Sequence, residues 1–151
     1  MYPRTLLDGL KRSVTVPVRP AWIAAVSRGA EEILAELAPG ERIVPASRLR
    51  EAVDAGAPGV VLADHDVASA AVAALDGSGV PVVGLTGAAG SAYAVQTNVG
   101  LGGRAIGAER PAAGLNARID VVVERYRATA AAAGGPLRRV TAGSRSVVYC
   151  Y

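Results

Sequence analysis

Two polar residues that directly follow apolar runs are the positions in this sequence best placed for chemistry. Asp64 follows the run 59–63, and Thr86 follows the run 80–85. Neither run alternates apolar with polar residues, so both predict strands buried on two faces, as in a parallel sheet. In an open parallel sheet, ligands bind in the crevice outside the carboxyl ends of the strands. We therefore expect Asp64 and Thr86 to share one rim.

The residues after Thr86 predict an anion-binding turn. The segment reads Gly87-Ala-Ala-Gly90-Ser91 and precedes a predicted helix. Glycines before a helix N-terminus expose backbone N–H groups to an anion. The segment lacks the Gly-Lys-Ser/Thr ending of a phosphate-binding loop, so we do not expect nucleotide hydrolysis.

Asp64 itself has two interpretations. Its carboxylate can take part in ligand binding, or it can cap the following helix by accepting backbone N–H groups. We expect Asp66 to be the N-cap of a helix that starts at Val67, and His65 to be a solvated loop side chain. The sequence has one His and one Cys, with no zinc-site spacing, so we expect no metal and no other cofactor.

The elements that must position these residues alternate between strands and helices. The predicted strands span residues 21–26, 42–46, 59–63, 80–85 and 104–107. The predicted helices span residues 29–37, 47–55 with Ser47 as N-cap, 67–75, 91–99 and 112–133. A strand over 119–123 is the alternative to part of the last helix, because three successive valines favour extended structure. Strands and helices in this order require crossover connections and predict a parallel sheet. The expected fold is a three-layer α/β/α sandwich around a five-stranded parallel sheet.

The length of 151 residues suits one domain with short extensions at both ends. Residues 1–20 predict an N-terminal arm, with a short amphipathic helix over 5–13 and an extended segment over 14–20. The α/β domain is expected over 21–133. Residues 134–151 predict a C-terminal tail, whose end, 147–151, is apolar enough to form an edge strand.

Composition and charge exclude several classes of function. The net charge is +3, with eight basic and three acidic residues from 104 onward. Because this part of the chain has no dense basic run and no interleaved aromatic residues, we expect a solvated basic surface, with nucleic-acid binding as the less favoured alternative. The single cysteine, Cys150, excludes an intramolecular disulfide. Charged residues interrupt the apolar residues of the N-terminus, and no segment has the length of a membrane span. We expect a cytoplasmic protein with no signal peptide and no membrane contact.

The order of these elements resembles the receiver domains of response regulators over residues 21–129. The segment 57–64 is similar to the receiver segment that ends in the phospho-acceptor aspartate, and the segment 80–87 is similar to the one that carries the switch Ser/Thr. Arg110-Pro111 lies where receivers carry Lys-Pro. The resemblance implies a flavodoxin-like topology with Asp64 and Thr86 at its functional rim.

The acidic pair that holds a divalent ion in receivers is replaced here by Ser27 and Arg28. That ion carries phosphoryl transfer, and a single carboxylate binds it only feebly. The resemblance therefore implies a pseudo-receiver that is not phosphorylated at Asp64. Arg110 or Arg28 is the expected partner of that carboxylate.

Three functions follow as hypotheses. The first is a non-catalytic regulatory module that forms a homodimer or binds a protein partner through the last helix. The second is a small-ligand or phosphate-binding domain that uses the crevice between Asp64 and Thr86. The third is a structural subunit of a phage or other large assembly. The residues predicted to form the interface of the first are Leu115, Ile119, Val122 and Tyr126.

Overall fold

The computed structural model describes residues 1–87 and 90–133, together with the backbone of 139–142 and 145–148. The chain divides into two compact units, Met1–Asn116 and Ala117–Tyr151. The strands of the first unit are β1 (Arg4–Leu7), β2 (Ser13–Val16), β3 (Trp22–Ala25), β4 (Ile43–Val44), β5 (Gly59–Ala63) and β6 (Val82–Gly84). Its helices are α1 (Arg28–Leu37), α2 (Leu49–Asp54), α3 (His65–Ala74), α4 (Ala92–Ile106) and the start of α5 (Glu109–Ala132).

The second unit contains the rest of α5 and two strands, β7 (Arg139–Ala142) and β8 (Arg145–Val148), which pair antiparallel. The predicted edge strand at 147–151 lies partly outside the described residues, and Cys150 lies outside them.

Four parallel strands form the central sheet of the first unit, in the order β4-β3-β5-β6. Ile23 of β3 lies between Ile43 of β4 and Val60 of β5, and Leu62 of β5 pairs with Val83 of β6. All five residues of β5 are buried, in agreement with its continuous apolar run. The predicted α/β class with a parallel sheet is confirmed.

Helices cover both faces of this sheet. On one face, α4 packs closely on α1 and β5, since a Cβ added at Gly102 would lie 3.3 Å from Ile33 and 3.5 Å from Leu62. On the other face, α2 and α3 cover the alternate residues of the strands. The buried cluster on that face consists of Trp22, Ala24, Val61, Ala63, Ala68 and Val82.

The predicted fifth strand at 104–107 is wrong, because these residues form the last turn of α4 and its C-cap. The helical turn buries Ala105 and Ile106. Gly107 ends the helix in the left-handed region at φ 75°, and its N–H donates to the carbonyl of Gly103. A glycine at this position is a common helix stop, whereas the segment has weak strand propensity.

The predicted helix over 5–13 is also wrong, because β1 and β2 form an antiparallel hairpin there. Apolar residues face inward from both strands, so that Leu6 is 4% exposed and Val16 is 1% exposed. Asp8 accepts the backbone N–H groups of Leu10 and Arg12. Such bonds favour a turn over a helix, and the hairpin contributes to the core of the first unit.

Asp8 joins this hairpin to the free edge of β6. The residue is only 3% exposed. Its carboxylate accepts the N–H of Gly84 at 3.1 Å and the Nε of Arg12 at 3.1 Å. The N–H of Gly9 donates to the carbonyl of Gly84 at 2.7 Å, and the Arg12 guanidinium reaches the carbonyl of Val82. The hairpin therefore satisfies polar groups that β6 would otherwise leave unpaired at the edge of the sheet.

The same hydrogen bonds decide the ionisation of Asp8. Burial alone raises the pKa of a carboxyl group. At Asp8 the hydrogen bonds from the backbone and side chain of Arg12 and from the N–H of Gly84 outweigh burial, and the pKa is lowered from its usual value. The native state therefore keeps Asp8 charged at a lower pH than the unfolded chain does.

Asp8→Asn is expected to lower the free energy of unfolding at pH 7 by about 2–4 kcal/mol, because Arg12 loses its buried counter-charge. Because the native pKa is depressed, the contribution of Asp8 is present above the ordinary carboxyl pKa and is lost as pH falls through the native one. Urea unfolding from pH 7 to pH 2 should show the wild type and the variant converging in acid. The control, Asp54→Asn, removes an exposed carboxylate. A constant difference across this pH range would contradict the assignment.

None of the helices in the described part of the chain is both long enough and apolar enough to cross a bilayer.

Candidate functional site

A cleft of about 450 Å³ opens where β5 and β6 end. Helices α1, α3 and α4 each begin at this edge of the sheet. The cleft brings Asp64 and Thr86 together at one rim, as the strand order requires. Its lining residues are Gly29, Asp64, His65, Asp66, Thr86, Gly87, Gly90, Val95 and Asn98.

Two hydrogen bonds join the start of α1 to Asp64. Asp64 is the N-cap residue of α3, but its side chain does not cap that helix. Its Oδ2 accepts the N–H of Gly29, in the first turn of α1, at 3.1 Å. Ser27, the N-cap residue of α1, uses its Oγ to accept the N–H of Asp64 at 2.8 Å. Asp64 and the start of α1 therefore each satisfy a polar group of the other.

Neither predicted arginine pairs with Asp64. Arg28 pairs with Glu32 at 3.1 Å, one helical turn along α1, and its side chain is 91% exposed. Arg110 is exposed on α5, and among the described residues no hydrogen bond or ion pair joins it to Asp64. The carboxylate takes its partner from the backbone instead. An added Cβ at Gly29 would lie 2.6 Å from its Oδ1, so this approach requires glycine.

Asn98 fixes the position of Thr86. Its Oδ1 accepts the N–H of Thr86 at 2.7 Å and the Thr86 hydroxyl at 2.9 Å, and its Nδ2 donates to the carbonyl of Thr86 at 3.3 Å. The sequence analysis missed Asn98. A signal was present, because Asn98 lies at helical spacing from Ala94 and Leu101 on the buried face of α4. An amide on such a face needs a hydrogen-bond partner.

The segment from Gly87 to Ser91 is described in part. Gly87 lies against His65, since an added Cβ would be 3.0 Å from its Cγ. Gly90 has φ 96°, and Ser91 caps α4 by accepting the N–H of Ala94 at 3.1 Å. Residues 88 and 89 lie outside the described residues, and the anion-binding turn stays a prediction.

Acidic side chains dominate the charge of the cleft. Among the residues that the structure describes, its lining contains the carboxylates of Asp64 and Asp66, the imidazole of His65 and no Arg or Lys. Asp66 is not an N-cap, because α3 already begins at His65 and places Asp66 in its first turn. Carboxylates near a helix N-terminus are stabilised by the partial positive charge there. In the described part of the chain, no three or more His, Cys, Asp or Glu side chains are grouped so as to hold a metal ion.

The predicted interface residues lie along α5, and Leu115 and Ile119 are half-buried. Val122 is 64% exposed and Tyr126 is 57% exposed, one helical turn apart. Val121 is 59% exposed beside them. Val122 and Tyr126 form an exposed apolar ridge, and the role of the four predicted residues as an interface stays a prediction.

No family model and no curated protein matches this chain. Solved structures do share its fold. A periplasmic solute binding protein from Veillonella parvula is 15% identical with a TM-score of 0.67, over 91% of this chain and 51% of its own. The molybdate periplasmic binding protein MolA of Haemophilus influenzae, bound to molybdate, is 13% identical with a TM-score of 0.63, over 75% of this chain and 49% of its own. This chain spans about half the length of each.

Asn98→Ala is expected to lower the free energy of unfolding by about 1–3 kcal/mol, because the N–H and hydroxyl of Thr86 lose their acceptor. The matched control, Thr97→Ala, removes an exposed hydroxyl from the adjacent position of α4 and should change stability by less than about 0.5 kcal/mol. Urea unfolding of both variants measures the difference. Equal losses for the two variants would contradict the role given to Asn98.

Proposed function

We propose that this chain forms one lobe of a solute-binding protein and that the cleft between Asp64 and Thr86 holds a small polar solute. The cleft itself carries the proposal. It lies at the carboxyl ends of neighbouring parallel strands, where α/β proteins bind ligands. Its volume of about 450 Å³ falls within the range of pockets for small molecules.

Two features of the rim support binding of a solute. Asp64 and Thr86 are each held by hydrogen bonds, to the N–H of Gly29 and to Asn98, so their positions do not have to be ordered by a ligand. Such pre-organisation lowers the entropic cost of binding. Three of the lining residues, Asp64, Asp66 and Thr86, have side-chain oxygen atoms.

The fold supports the idea of a lobe. The two similar proteins are periplasmic binding proteins, and this chain covers about half the length of each. A single lobe presents an open cleft, so a second lobe or a partner protein is needed to enclose the solute. The predicted cytoplasmic location stays a prediction.

A thermal-shift screen tests the proposal with polyols, amino acids, polyamines, inorganic phosphate and molybdate. A solute that binds the native state raises the melting temperature with a saturable concentration dependence. In a ¹⁵N–¹H spectrum, the same solute should shift the amide signals of Gly29, Asp64, Thr86 and Asn98. Asn98→Ala should weaken its binding, and the control Asp54→Asn should not.

A flat response to every member of the panel would contradict the proposal. So would saturable binding whose amide shifts lie away from the cleft, for example in the separate groove of about 370 Å³ beside Thr15 and Leu75.

The exposed ridge on α5 favours a second function, self-association. Val122 and Tyr126 place apolar surface on one side of the helix. Burial of such surface stabilises a protein interface. This candidate retains the predicted homodimer and does not depend on phosphorylation of Asp64.

Light scattering during size exclusion tests this second candidate. The wild type is expected to elute as a dimer at high concentration, and Val122→Asp or Tyr126→Asp should give a monomer, because a charge in an apolar interface is costly. Ala128→Asp is the matched control, since it adds the same charge about 200° around the helix from Tyr126. A wild type that is monomeric at all concentrations would exclude this candidate.

A further inference from the structure

We propose that Asp64 acts as a built-in anion at the N-terminus of α1, so that the cleft selects solutes with hydroxyl or protonated amine groups over oxyanions. This inference rests on the proposed function, since it assumes that the cleft holds a solute. It makes Asp64 a residue that determines specificity.

The position that an oxyanion would take at α1 is already occupied. Helix N-termini bind anions because their first N–H groups lack partners within the helix. Here the N–H of Gly29 donates to Asp64 Oδ2 at 3.1 Å, across 35 residues of sequence. An added Cβ at Gly29 would lie 2.6 Å from Oδ1, so the carboxylate lies directly against the helix backbone.

The N-cap residue of α1 is also engaged elsewhere. Ser27 accepts the N–H of Asp64 with its Oγ at 2.8 Å and makes no side-chain cap within its own helix. This second hydrogen bond holds the backbone N–H of Asp64. Both the main chain and the carboxylate of Asp64 are therefore bonded to the start of α1. To bind at the N-terminus of α1, an anionic solute would have to displace the Asp64 carboxylate, whose own backbone is held by Ser27.

The described lining offers an oxyanion no guanidinium or ammonium group, and its one imidazole, that of His65, lies beside Gly87. Asp66 adds a second carboxylate in the first turn of α3. The Thr86 hydroxyl donates its proton to Asn98 Oδ1, so its oxygen can only accept a hydrogen bond from a solute. Like charges a few ångströms apart repel strongly at protein surfaces, even when salt screens them.

The same oxygens suit a solute that carries donors. Hydroxyl groups donate to carboxylates, and protonated amines form the shorter, charge-assisted hydrogen bonds. Asp64 retains acceptor capacity after its bond to Gly29, because an ionised carboxylate has about four lone-pair sites. A polyol or an amine therefore matches the hydrogen-bonding capacity of the cleft.

The test measures the affinity of the full chain for inorganic phosphate and for molybdate by isothermal calorimetry at constant ionic strength. The variants are Asp64→Ala, which clears the N-terminus of α1, and Asp64→Asn, which removes the charge and keeps an acceptor for Gly29. Asp66→Asn is the matched control, because it removes one charge from the same cleft away from α1. A ¹⁵N–¹H spectrum of each variant checks that it is folded.

Asp64→Ala is expected to bind phosphate at least about tenfold more tightly than the wild type, with a smaller gain for Asp64→Asn and the smallest for Asp66→Asn. If Asp64→Ala does not fold, the comparison of Asp64→Asn with Asp66→Asn decides. Equal gains for the two Asn variants would overturn the inference, because they would indicate a general charge effect.

The outcomes separate this inference from the proposed function. A wild type that binds phosphate or molybdate as tightly as Asp64→Ala overturns the inference and leaves the solute-binding lobe standing. The wild type could bind no member of the panel while Asp64→Ala gains phosphate binding. That result would support anion exclusion by Asp64 and contradict the proposed function. No gain in any folded variant overturns the inference.

Discussion

The buried carboxylate of Asp8 is the interaction on which the edge of the sheet depends. A four-stranded parallel sheet leaves the outer side of β6 without a neighbouring strand, and buried backbone groups there need partners. The Asp8 carboxylate accepts the N–H of Gly84, 76 residues away in the sequence, and the N–H of Gly9 donates to the carbonyl of Gly84. The Arg12 guanidinium compensates the negative charge of the buried Asp8 carboxylate. Because β6 leads directly to Thr86, the hairpin turn also helps to hold one side of the cleft.

The cleft is held by hydrogen bonds between segments that are distant in the sequence. Ser27 and Asp64 join the start of α1 to the end of β5, and Asn98 joins α4 to Thr86, two residues beyond β6. Polar side chains positioned in this way by backbone groups are preformed for binding. The carboxylates of Asp64 and Asp66 lie at the N-termini of α1 and α3. Many α/β proteins bind an anionic ligand at such a helix N-terminus.

The likeness to periplasmic binding proteins shows a shared fold at low identity, over about half the length of each. Fold alone does not determine a ligand, because function resides in the particular side chains of a site. MolA is bound to molybdate in its structure. Among the described residues, the cleft of this chain is lined by two carboxylates and one imidazole, that of His65, and by no Arg or Lys. For that reason our proposals follow the lining residues and not the ligand of the similar protein.

Local patterns in the sequence were sufficient for β3, β5, β6 and most helices, because buried strands and amphipathic helices are encoded by residues that lie next to one another. They also placed Asp64 and Thr86 at strand ends. They were not sufficient for the hairpin of β1 and β2 or for the end of α4, where burial of side chains such as Leu6 and Ile106 decided between helix and strand. Asp8, Asp64 and Thr86 each have a partner that is distant in the sequence, 76, 35 and 12 residues away respectively. Only the tertiary structure decided these, since a buried polar group takes whichever partner the packing brings within reach.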